Sequence, residues 1–232
     1  MLVSSFLGLL NKIDKVTAWK FNILGVTILL QRKMINYSNI FVRDGLTYEA
    51  YRELINERLV SGKTTGADNS EAMLHYTRMN LHRMARVDKT IQLNGDFLNV
   101  LKHIKGNYRL LVITEGWCGD AAQIVPLFNK IAIAAPDHFD LRFVLRDEQL
   151  ELMDAHLTNG GRSIPALLIL NEQGEMLHKW GPRPALVKPL LAAWKTEDED
   201  MMVTAEKLHG WYAKDKTKET QQELMDLFKT LN

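Results

Sequence analysis

From Thr47 onward the apolar positions fall at helical spacing. Tyr48, Tyr51, Leu54, Ile55 and Leu59 recur every three or four residues, and Thr47 is placed to cap the first turn. The loop Ser61-Gly62-Lys63-Thr64-Thr65-Gly66 breaks the pattern. A second helix is predicted over 70–86, with Met73, Tyr76, Met79, Leu81 and Met84 available for packing, and a short one over 95–104. The pattern then changes. Tyr108 to Thr114 (YRLLVIT) is a short, continuous apolar run rich in β-branched residues, which reads as a buried strand. Residues 116–120 form a turn, and 121–134 read as a helix kinked by the interior Pro126. A second strand over 141–145 and a helix over 147–156 follow, ended by Asn159-Gly160-Gly161. Strands over 166–170 and 175–180 flank the hairpin turn Asn171-Glu172-Gln173-Gly174. Helices are predicted over 184–194, 201–213 and 219–231.

The middle of the chain therefore runs β, α, β, α, β, β, α. A parallel βαβ half followed by a hairpin predicts an α/β fold. The chain divides into an N-terminal extension (1–33), a helical region (34–90), an α/β domain (91–196) and C-terminal helices (197–232). Within the extension, Phe21 to Leu30 (FNILGVTILL) is the most apolar stretch. At ten residues it falls short of the ~20 that a membrane helix needs. The lysines at 12, 15 and 20 and the flank Gln31-Arg32-Lys33 do not match a secretory signal. A peripheral helix or strand is expected there, and Met34 is a second candidate start. No stable membrane span is expected.

Composition narrows the function classes. The chain has 232 residues, 46% hydrophobic and 25% charged, which suits a globular protein with a sizeable core. The net charge of +1, with no clustered basic face, argues against nucleic acid. Seven histidines show no metal-ligand spacing; His75 and His82 lack acidic or cysteine partners. No metal or other cofactor is expected. One cysteine, Cys118, excludes a disulfide within the chain and suits a reducing compartment.

Cys118 lies in Glu115-Gly116-Trp117-Cys118-Gly119-Asp120-Ala121, a turn between strand and helix. A helix N-terminus stabilises a thiolate through its free amides and dipole. Such a turn is expected to be solvent-accessible, which favours a reactive thiol over a small buried hydrophobe. Glu115 and Asp120 flank the thiol and would raise its pKa, whereas Arg162, three residues before Pro165, is a candidate to oppose them, and reads equally as a loop-anchoring residue or as a ligand for a substrate carboxylate. Asp120 reads either as a helix-N-terminal residue favoured by the dipole or as a proton acceptor.

These features together resemble the thioredoxin family over residues 93–194. Trp117-Cys118 follows a strand and opens a helix, as the family's tryptophan and nucleophilic cysteine do. Pro126 lies eight residues after Cys118, where thioredoxins carry a kinking proline. Ile164-Pro165 precedes the third strand and resembles the family's cis-proline step, and Gly181 follows the fourth strand as a glycine does there. More closely, the chain resembles bacterial members with a helical N-terminal region and an EGWCGDA turn. The resemblance implies a three-layer α/β/α sandwich on a four-stranded sheet, with room for one extra strand and with N- and C-terminal helical extensions. It also implies Cys118 as catalytic nucleophile and a substrate site from Trp117, Gly119, Asp120, Ile164, Pro165 and Arg162.

The departure from the family pattern is Ala121, where dithiol members carry a second cysteine. The two-cysteine cycle is excluded. What remains is thiol–disulfide exchange by a cytoplasmic monothiol oxidoreductase, with a protein or small thiol as partner and an external thiol resolving. The alternative is a non-catalytic binding or chaperone module using the cis-proline groove.

Overall fold

The run Tyr108–Thr114 forms the central strand, here β3, of a four-stranded sheet. The computed structural model describes residues 17–23, 26–32, 35–197 and 200–231. They divide into two compact units, the chain boundary falling between Asn36 and Tyr37. In the first, β1 (Thr17–Ile23) and β2 (Val26–Arg32) pair antiparallel. The apolar run 21–30 therefore reads as strand on either side of residues 24 and 25, which, like 1–16, lie outside the described residues.

In the second unit, β3 pairs parallel with β4 (Phe139–Leu145) and antiparallel with β5 (Ala166–Leu170), which pairs with β6 (Met176–Trp180). The order β4-β3-β5-β6 is the mixed sheet that the element pattern predicts. All of β5 and the last five residues of β3 are buried, as strands covered on both faces must be. The extra strand reduces to one residue: Leu46 exchanges two backbone hydrogen bonds of 2.8 Å with Phe143 at the β4 edge.

Nine α-helices surround this sheet among the described residues, and the sides of those that touch it follow from strand alternation. Tyr108, Thr114, Phe139 and Phe143 share one face with Trp180 through the register. On that face α2 (Tyr48–Val60) stacks Tyr51 on Phe143 at 5.3 Å, and α5 (Gly119–Ala134) sets Phe128 edge-on to Trp180 at 5.8 Å. Phe97 of α4 (Gly95–Lys102) and Phe139 both meet Phe228 of α9 (Lys218–Phe228). The opposite face carries α1 (Tyr37–Arg43), where Arg109 reaches Ser38 and Phe41, and α6 (Leu150–Ala155), after which Lys179 donates to the His156 carbonyl at 2.6 Å. The α/β/α layering is thus the one expected. The remaining helices are α3 (Glu71–Thr90), α7 (Val187–Glu197) and α8 (Met201–Asp215).

Local signals explain the boundaries. The Thr47, Ser70 and Asn94 side chains each accept a backbone N–H at the start of α2, α3 and α4. Helix α6 is shorter than predicted because 145–149 close tight turns instead. Helix α5 begins two residues early, at Gly119, with Cys118 as its N-cap. Gly181 takes φ +122°, and a Cβ there would run into the Pro165 carbonyl oxygen, so glycine is required beside that strand.

Candidate active site

Three segments bring the site together. The β3–α5 turn supplies Cys118, whose Sγ lies 3.4 Å from the Ala121 amide in the N-cap position. The loop before β5 supplies the Ile164–Pro165 peptide, which is cis, and the thiol donates to the Ile164 carbonyl at 3.3 Å. The turn after β6 supplies Arg183, which forms a bidentate ion pair with Asp120. The Tyr212 hydroxyl of α8 donates to the same carboxylate at 2.6 Å.

Helices from both ends of the chain close over this turn. Asn80 of α3, fully buried, donates to the Gly116 carbonyl at 3.1 Å, and Thr65 accepts the Gly116 amide at 3.0 Å. Tyr76 of α3 and His209 of α8 are hydrogen-bonded to one another at 3.0 Å directly above Gly119, where a Cβ would strike both. Gly119 is the residue that lets them approach. The Gln123 amide donates to His209 Nδ1 at 3.1 Å, so the neutral ring carries its proton on Nε2 and donates it to Tyr76. Burial, then the Arg83 charge, pushes His209 down to about 4, which keeps that ring neutral near pH 7.

The consequence for the thiol corrects the expectation of an open turn. Cys118 is only 8% exposed. Burial, followed by the Asp120 charge, pushes its pKa up to about 12, outweighing the Ala121 and Asp120 amides and the Arg183 charge. At neutral pH the side chain is a thiol that donates to Ile164, not a thiolate. A turn into a helix is exposed only when nothing packs over it, and here α3 and α8 do.

A family model described as thioredoxin matches residues 66–195, more than half of the chain. The chain belongs to the thioredoxin family. Among solved structures it is similar to a protein of unknown function from Pseudomonas aeruginosa, at 16% identity and a TM-score of 0.54, covering 86% of this chain and 100% of that one. It is also similar to a scaffold carrying an HIV epitope, at 16% identity and a TM-score of 0.53, covering 84% and 99%. At such identity the likeness is one of fold, and it reaches beyond the stretch the family model matches. Comparison with curated proteins finds no match. No helix among the described residues is long and apolar enough to cross a membrane, and no cluster of three metal-ligating side chains occurs among them.

In this thioredoxin-family site the residues expected from sequence are partly assembled. Trp117, Gly119, Asp120, Ile164 and Pro165 surround Cys118 or its turn; Trp117 is half-buried, with the Arg146 guanidinium 4.6 Å over its ring. Arg162 is exposed and bidentate to Asp154 at 2.6 and 2.8 Å, so the cation at the thiol is Arg183 instead. In the sequence Arg183 is marked only by the prolines on either side of it. Its role comes from a contact with Asp120, 63 residues away. Tyr76, His209 and Tyr212 were equally hidden, because a Tyr or His on an amphipathic helix reads as packing. The spacing of His209 and Tyr212, three apart on one helix face, was the available signal.

Glu115 is fully buried beneath the turn, accepting from the Thr65 hydroxyl and, at 3.0 Å, from the Asp147 amide. Burial is the main reason its pKa rises to about 7. A carboxyl held above its unfolded value stabilises the fold fully below about 4.5, and that contribution is lost as pH rises through 7. Glu115→Gln mimics the protonated form, with its amide facing Thr65 and its oxygen facing Asp147. Urea melts should therefore show the variant gaining about 1–3 kcal/mol over wild type between pH 4.5 and 8. An equal difference at both pH values would refute the assignment.

Proposed function

We propose that this thioredoxin-family chain is a shielded monothiol oxidoreductase of the bacterial cytoplasm, with Cys118 exchanging disulfides only when the α8 cover lifts. The observation that supports it is the placement of Sγ at the N-cap of α5, within hydrogen-bonding distance of the carbonyl of the cis-proline step. With the cover displaced, the desolvation that holds the proton on sulfur is relieved while the helix amides remain. Cys118 then loses its proton to water and attacks one sulfur of a protein or small-molecule disulfide. The partner thiolate leaves and a Cys118 mixed disulfide forms. An external thiolate attacks this bond, releasing the Cys118 thiolate and a new disulfide, so the electron balance closes without a second cysteine in the chain. Trp117, Asp120 and Pro165 would border the incoming disulfide.

The test is trapping. Wild type incubated with oxidised glutathione should form a mixed disulfide at Cys118, seen by intact-mass spectrometry, and form it faster in Tyr212→Ala. No adduct in either protein, under conditions where the urea-unfolded chain is modified, would sink the exchange role. The burial of Cys118 favours a second reading, a binding module in which Cys118 is structural. In that case Cys118→Ser would retain full function in cells.

A further inference from the structure

A cavity of about 290 Å³ opens between α3, α5 and α8, lined in part by Gln123, which donates to His209. Its floor is apolar, from Val87 and Ile91, both buried. Its polar side chains are Arg86, Thr90, Gln123, Tyr212, Lys216 and Thr217, so two cations line it and no carboxylate does. Among the described residues no acidic group pairs with Arg86 or Lys216; Arg86 instead donates to the neutral Gln123 Oε1 at 3.1 Å. Lys216 ends α8 in the left-handed conformation, φ +52°, a geometry that an L residue adopts at a cost. Its amide donates to the Tyr212 carbonyl at 3.0 Å, which fixes the backbone from which its side chain lines the cavity. Gln123 is 3% exposed, so an amide that faces a ligand here is already desolvated and oriented.

We infer that this cavity binds a small organic carboxylate, its charge between Arg86 and Lys216 and its apolar body on Val87 and Ile91. Each half of the site selects a different property. Two uncompensated cations attract an anion, and a guanidinium next to a positioned amide suits a planar carboxylate. An apolar floor favours a body with carbon surface over a bare inorganic ion. The assignment is independent of any exchange at Cys118.

Calorimetric titration of the full-length Cys118→Ser chain tests it, with benzoate, benzamide and inorganic phosphate as probes. Working in Cys118→Ser separates this question from the redox reading, because no thiol chemistry can contribute. Benzoate should bind saturably at one site, while benzamide gives no saturation and phosphate binds more weakly. The double substitution Arg86→Gln with Lys216→Gln changes exposed side chains, so the melting temperature should be kept while benzoate affinity falls at least about tenfold. The inference is overturned by any of four results: no saturable benzoate binding, benzamide equal to benzoate, phosphate tighter than benzoate, or an affinity untouched by the double substitution.

Discussion

Iodoacetamide is expected to alkylate Cys118 at pH 7.5 at least about 100-fold more slowly than free cysteine. A thiol held near 12 rather than near 9 leaves about a thousandth of the thiolate at that pH. The greater intrinsic nucleophilicity of the more basic sulfur recovers part of this, with a Brønsted slope of about 0.4–0.5. About 1.5 to 1.8 decades remain, and steric shielding by Tyr76 and His209 supplies the rest. Loosening the cover should reverse the effect. Tyr212→Ala removes the hydroxyl that ties α8 to Asp120, and His209→Ala removes the partner of Tyr76 over Gly119. Each should accelerate alkylation at least about tenfold, as local opening becomes easier. Global stability measured by urea on the same variants supplies the control. Rates that merely track global stability would assign access to whole-chain unfolding and remove α8 as a cover. A wild-type rate at or above that of free cysteine would show the thiol to be open.

The second large effect concerns Asp120. Its carboxylate is 8% exposed and holds both Arg183 and the Tyr212 hydroxyl. Asp120→Asn leaves the guanidinium partly buried without its counter-charge, which should cost about 2–4 kcal/mol in urea unfolding. Arg183→Gln leaves the opposite charge unpaired and should cost a similar amount. The two variants must nevertheless differ at the thiol. Asp120 raises the Cys118 pKa and Arg183 lowers it. Asp120→Asn should therefore speed alkylation, and Arg183→Gln should slow it or leave it unchanged. Loosening alone would speed both, so equal acceleration would show that the ion pair acts on packing and not on the charge of the sulfur.

How much of this was legible beforehand depends on the range of the interaction. The strands β3 and β5 announced themselves as short apolar runs bounded by turn residues, and β6 through the hairpin turn Asn171-Glu172-Gln173-Gly174 before it. The Cys118 turn was legible because a strand end, a glycine and a helix start lie within a few residues. Pro165 was legible through its resemblance to the family's step before the third strand. Arg162 was misplaced because proximity in sequence to Pro165 stood in for proximity in space. Its ion pair with Asp154, eight residues back, is as local as the error, but charges on two loops carry no marker of which will meet. The short helix α1 also escaped notice, since seven residues with one buried side chain, Phe41, show no period to read.

By itself the sequence determined that this chain has one thiol, that no internal disulfide can resolve it, and that the thiol sits at the start of the helix after the first strand of a thioredoxin-type sheet. Those are consequences of composition and short-range order. Only the tertiary structure decided the state of that thiol. Tyr76 lies 133 residues from His209, and Asp120 lies 92 from Tyr212, yet these pairs form the cover that excludes water from Cys118. Solvation of a sulfur depends on everything packed around it. The pKa that a helix N-terminus would lower is raised here because two distant helices meet above it.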